Sequence, residues 1–244
     1  MRLLIPCMKC FQELGKSNGE FARVEFRDDG KYELTCSRGH EETTVLQQQK
    51  FEVLFDIGAH AILDGYYRES VSSFAVSLER FYEFSMRVFL SKVSGSDDLF
   101  KTCWKSVSSQ SERQLGAFVF LWASVFNAPP ALLSKSHVSF RNEVIHKGKI
   151  PTKDEALAFG NSVLGVIRPN MLALCEKLPD SVQQVVFYHL RDAQTPGATA
   201  PSATMCASTI VSLSACEESH HQGDLEYHLG KLQEWRAVAN GVNA

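Results

Sequence analysis

With 244 residues, 44% hydrophobic and 22% charged, the chain is sized for one or two ordinary globular domains. A formal net charge of -3 supplies no global field for a polyanion, so any nucleic-acid contact must use a local basic patch. The chain has seven cysteines, an odd number, and its start (MRLLIPC) is too short to supply the apolar region of a secretory signal. Together these point to a reducing, cytoplasmic setting in which spaced cysteines bind metal in preference to forming disulfides.

Residues 1–46 carry two ligand pairs, Cys7-x2-Cys10 and Cys36-x3-His40. Between them Phe21–Phe26 alternates apolar and polar residues, Asp28-Asp29-Gly30 is a turn, and Tyr32–Thr35 returns, which predicts a β-hairpin. Four thiolate or imidazole ligands complete a closed tetrahedral Zn²⁺ site with no position left open for catalysis. The module has too little apolar material to fold unaided, so a structural metal at Cys7, Cys10, Cys36 and His40 explains how it holds together.

From Gln47 the period becomes helical. Phe51, Leu54, Phe55, Gly58, Ile62 and Tyr66 share one stripe and predict a helix over Gln47–Glu69. A second helix follows over Ser70–Lys92, with Phe74, Leu78, Phe81, Tyr82, Ser85, Val88 and Phe89 at three- and four-residue spacing. Glu79 and Glu83 lie one turn apart on it, and Arg87 one turn further. Glu83 and Arg87 also suit a plain surface i,i+4 pair. Leu99–Ser108 is a short helix or irregular. Ser111–Phe126 is apolar nearly all round and is expected to be the central buried helix, with Trp122 in the core. The uncharged run Gln114–Ser134 is broken by Asn127-Ala128-Pro129-Pro130, too early for a membrane span. Lys135–Lys147 and Pro151–Leu178 complete the set, the latter kinked or broken at Pro169. The fold class is therefore mainly α: an up-and-down helical bundle (47–180) preceded by a small zinc-binding β-hairpin module (1–46).

The segment FRNEVIHKGKIPTKDE, 140–155, concentrates the polar chemistry. Gly148 and Pro151 stop the helix that carries Arg141, Asn142 and His146, and Thr152 with Glu155 forms a capping box for the next. Asn142 and His146 share a helical face that Arg141 flanks, with Lys147 adjoining. An imidazole can move the 2′-hydroxyl proton of RNA, and an Arg fork can hold charge developing on phosphate. An ordinary surface helix end would also contain these residue types.

R-N-x3-H at the end of a late helix, followed by Lys-Gly and a Pro-Thr helix start, resembles the HEPN family (higher eukaryotes and prokaryotes nucleotide-binding), over roughly residues 47–177. The resemblance implies a metal-independent endoribonuclease of defence or toxin type that leaves 2′,3′-cyclic phosphate ends. Arg141, Asn142 and His146 would be catalytic, with Glu79 or Glu83 and Lys147 supporting. It further implies RNA as substrate, a homodimer that brings two motifs into one cleft, and an antitoxin or sensor protein as partner. The alternative is a catalytically silent HEPN–zinc-ribbon adaptor that binds RNA, a nucleotide or a protein.

Beyond Pro179 the composition shifts. Ser181–Leu190 suits one more helix, and Ala193–Ser208 is small, polar and Pro/Gly-containing, a flexible loop or linker. Cys206, Cys216, His220 and His221 match no four-ligand spacing and are read as structural. Asp224–Ala239 is amphipathic and closes a C-terminal extension, 181–244.

Overall fold

In a computed structural model the protein is mainly helical, with a small β module at its N-terminus. The structure describes residues 3–15, 21–193, 202–215 and 218–241. The chain divides into two compact units: Met1–Gln48 with Val186–Ala207, and Gln49–Val185 with Ser208–Ala244. The C-terminal 64 residues expected as a separate extension are thus shared between the two. Cys216 lies outside the described residues.

In the first unit β1 (Leu3–Pro6) leads into the short helix α1 (Met8–Leu14), then β2 (Phe21–Val24), β3 (Lys31–Thr35) and β4 (Glu41–Leu46). The predicted hairpin across Asp28-Asp29-Gly30 does not form. β2 pairs antiparallel with β1, Leu3 opposite Val24, while β3 pairs antiparallel with β4, Tyr32 opposite Thr44. The hairpin turn is instead the second ligand pair itself: Cys36 N–H reaches His40 O at 3.1 Å, and Gly39 N–H reaches Cys36 O at 2.9 Å. Gly39 sits at φ +77°, where a residue with a Cβ would be strained. Part of the expected linker is a strand, β5 (Ser202–Met205), which pairs parallel with β4 and makes that sheet three-stranded. Tyr32, Val45 and Leu46 are buried on that sheet, and Leu3 and Ile5 on the two-stranded one.

The second unit is built around α3 (Tyr67–Ser94), which packs on α2 (Lys50–Leu63), α4 (Asp98–Trp104), α5 (Ser111–Phe126), α6 (Lys135–His146) and α7 (Lys153–Lys177). The boundary between α2 and α3 falls earlier than the stripe suggested, because Gly65 at φ +82° ends the first helix. Phe51, Phe55, Phe74, Phe81, Phe89, Phe118 and Phe159 are each almost fully buried, every ring contributing roughly 1.5–3 kcal/mol. The central position expected of α5 belongs to α3. On α5 only Gln114, Phe118 and Trp122 are buried, and Phe120 is 79% exposed. An apolar composition makes burial favourable, but α3, with 28 residues, offers more length for neighbours to pack against. α7 runs unbroken through Pro169, since Ile167, Asn170 and Met171 on either side are buried and hold it in place.

After β5 the chain returns to this unit. Ile210 N–H donates to Asp56 Oδ1 and Leu213 N–H to Glu52 Oε1, each at 2.9 Å. Following α8 (Pro179–Ala193), the last helix, α9 (Leu225–Gly241), begins with its first N–H on Asn161 Oδ1 at 2.7 Å. Arg168 donates to Gly223 O at 2.8 Å and to His228 Nε2 at 3.0 Å.

Candidate functional site

Two clusters were expected, one in each unit. In the first, the N-cap of α1, just past β1, is Cys7, the first turn of α1 delivers Cys10, and the β3–β4 turn delivers Cys36 and His40. Their ligand atoms all lie within 4.8 Å of one another, a grouping that can bind a metal ion. Cys10 Sγ is 3.8 Å from Cys36 Sγ and 3.3 Å from His40 Nδ1, and Cys7 Sγ is 3.7 Å from the same nitrogen. Cys10 N–H donates to Cys7 Sγ at 3.4 Å, which fixes the first pair as a tight knuckle. Buried Glu42 accepts the N–H groups of Met8 and Lys9 and so ties α1 to β4. Cys7, Cys36, His40 and Glu42 line one small cavity with Ile5 and Leu34.

Burial pushes the Cys7 thiol up to about 11. At Cys36 burial pushes the same way, but the backbone amides of His40 and Arg38 prevail and hold the thiol below its ordinary value. A protonated Cys7 must give up its proton as a metal arrives, so binding at this site releases protons. The spacing that singled out the four ligands gave no hint of Glu42.

In the second unit α6 is aligned by contacts along its whole length. Ser134 Oγ accepts His137 N–H at 3.3 Å as the N-cap, and His137 Nε2 lies 3.0 Å from Ser162 Oγ of α7. Asn170 grips the preceding turn through both backbone groups of Ala131, at 3.1 and 2.9 Å. Val144 is fully buried, and the Phe140 and Phe159 rings meet at 5.7 Å. At the far end Gly148, φ +73°, lets Lys149 N–H turn back to Glu143 O. The capping box forms as predicted, with Thr152 and Glu155 exchanging hydrogen bonds at 2.9 and 3.2 Å. Lys149 bridges the turn to Glu155 at 2.8 Å and lies over the Phe140 ring.

Arg141 is half-buried and points to α3. Nη2 lies 3.3 Å from Glu79 Oε1, and Nη1 donates to Asn142 Oδ1 at 3.1 Å. Of the two acidic candidates it is therefore Glu79 that meets the motif. Glu83 pairs with Arg80, and Arg87 grips buried Asp97 through Nε and Nη2. His146 and Lys147 are exposed at the helix end. His146 is not among the hydrogen-bond partners of Arg141. Tyr82, one turn from Glu79, is close enough for Glu79 and Arg141 both to act on its phenol. Burial raises that phenol well above its usual range, with Glu79 adding and Arg141 opposing.

Of the remaining histidines, His220 and His221 bond to the backbone carbonyls of Thr209 and Ala215, a structural use. Compared with protein-family models, curated proteins and solved structures, the chain finds no match in any of the three.

Proposed function

We propose that this protein is a HEPN-type endoribonuclease that cleaves RNA at the C-terminal end of α6 and carries a structural zinc module. The observation that supports it most is the grouping at that helix end. There Arg141 is aligned by Glu79 and Asn142, and exposed His146 and Lys147 lie within six residues of it. In the proposed reaction His146 takes the proton of the 2′-hydroxyl, and O2′ forms its bond to phosphorus as the bond to O5′ breaks. The leaving O5′ collects a proton from the partner's His146, giving a 2′,3′-cyclic phosphate and a free 5′-hydroxyl. Arg141 offsets the charge on the pentacoordinate phosphorus, and Asn142 orients His146 or the phosphate. A single imidazole cannot be base and acid at once, which is why the proposal includes a homodimer.

For the metal we propose Zn²⁺. Around a tetrahedral ion at usual zinc bond lengths, sulfur–sulfur edges are about 3.8 Å and sulfur–nitrogen edges about 3.6 Å. Three of the six separations, 3.8, 3.7 and 3.3 Å, agree with those edges to within a few tenths of an ångström, and all six are within 4.8 Å. Three thiols and one imidazole leave no ligand position for substrate, so the ion supplies folding stability.

One observation favours the silent adaptor: Arg141 is already neutralised by Glu79. Incubation with total RNA and purified tRNA, in buffer free of added divalent ions, separates the two readings. An enzyme yields cyclic-phosphate ends, and His146→Ala and Arg141→Ala each cost at least about a hundredfold in rate. Undiminished cleavage by a folded His146→Ala protein would sink the assignment. Binding without cleavage, weakened by Arg141→Ala alone, would establish the adaptor.

A further inference from the structure

We infer that Glu13 and Arg38 are positioning residues for the metal centre: Glu13 orients the His40 ring so that it ligates through Nδ1, and Arg38 holds Glu13 there. The inference rests on the metal-site reading above and adds how the fourth ligand is set.

The two nitrogens of His40 face opposite chemistries. Nδ1 lies 3.3 Å from Cys10 Sγ and 3.7 Å from Cys7 Sγ, whereas Nε2 lies 3.5 Å from Glu13 Oε1. A carboxylate only accepts, so the ring proton belongs on Nε2 and the lone pair of Nδ1 is turned towards the sulfurs. A flipped ring would present its lone pair to a carboxylate and remove it from the ligand cluster. Carboxylate–histidine–metal triads work this way: the outer carboxylate fixes both tautomer and ring orientation.

Arg38 completes the arrangement. Its Nη1 lies 3.1 Å from Glu13 Oε2 and 3.9 Å from Cys10 Sγ, so one guanidinium touches both the orienting carboxylate and a ligand sulfur. Glu13 is three residues past Cys10 on α1, which puts both on one face of that helix. Arg38 lies between Cys36 and His40 in the β3–β4 turn. Each knuckle therefore contributes two ligands and one member of the orienting pair. The Arg38 and Glu13 side chains are 43% and 41% exposed, so their ion pair adds little to stability by itself, and its consequence is orientation.

The test uses the full chain. Zinc affinity is measured by competition with a chromophoric chelator for wild type, Glu13→Ala, Glu13→Gln and Arg38→Ala. Separately, ¹⁵N-histidine protein loaded with ¹¹³Cd reports which ring nitrogen couples to the metal. Cadmium should couple to His40 Nδ1 in wild type, and Glu13→Ala should weaken zinc binding about 10- to 100-fold. Glu13→Gln, whose amide oxygen can face Nε2–H as an acceptor, should recover most of that loss. Coupling at Nε2 overturns the inference, as does an affinity within twofold of wild type in both Glu13→Ala and Arg38→Ala. A wild-type chain that takes up no zinc overturns the metal site itself, a separate and recognisable failure.

Discussion

Gly160 and Gly165 occupy the same helix, α7, yet changing each to alanine should shift stability in opposite directions. In an unobstructed helix, Gly→Ala gains about 0.5–1 kcal/mol, because glycine loses more backbone freedom on folding. A Cβ at Gly165 would meet nothing within 4 Å, so Gly165→Ala should gain that amount. A Cβ at Gly160 would lie 2.5 Å from Leu225 Cδ2 and 2.6 Å from Phe74 Cε2, far inside ordinary contact. The leucine tip can rotate, but the phenylalanine has little room. Phe74 is fully buried, its centroid is 4.8 Å from that of Phe55, and its other edge faces Gly58, whose own notional Cβ would be 2.7 Å away. Overpacking of this kind costs about 1–3 kcal/mol, which exceeds the helical gain and leaves Gly160→Ala destabilised by roughly 0.5–2 kcal/mol. Urea unfolding followed by circular dichroism measures both variants against wild type. Equal stabilisation of the two would show that Phe74 is not wedged between α2 and α7. Gly160→Ala combined with Phe74→Leu should recover part of the loss, because the smaller side chain vacates the contested space.

Other consequences follow from buried polar groups. Burial pushes Glu52 and Asp56 up to about 7 from ordinary values of 4.5 and 3.8. With the folded values raised, the stability they contribute is present at about pH 4 and lost as pH rises through 7. Asp56→Asn, which keeps an acceptor for Ile210 N–H, should therefore flatten the decline in stability between about pH 4 and 7, and an unchanged slope there would refute the cause. Asn170→Ala strips both hydrogen bonds from Ala131 in a buried site and should cost about 1–3 kcal/mol in thermal unfolding. The same variant should increase hydrogen exchange at the start of α6, and native protection there would count against the clamp. Cys36→Ser, or chelation, should expose β3 and β4 to proteolysis while the circular dichroism of the helices persists; an intact, protease-resistant first unit without metal would argue against a structural ion.

What the sequence determined by itself was local. Helix ends are set by groups a few residues apart, so the Thr152–Glu155 capping box and the stop at Gly148 could be read from spacing. The same holds for the two ligand pairs, each confined to one turn of chain. The mainly helical character followed from periodicity. Tertiary structure decided whatever joins distant segments. Glu79 and Glu83 are equivalent by position on α3, and only the packing of α6 against it selects Glu79 for Arg141. The turn signal at Gly30 does not decide the pairing of β2 and β3, because it says nothing about which other strand is available: β2 takes β1 and β3 takes β4. The C-terminal residues looked like an appendage for the same reason. Their partners, Thr43–Leu46 for β5 and Glu52 and Asp56 for 210–213, lie 154 to 161 residues away in the chain, where no periodic pattern reaches.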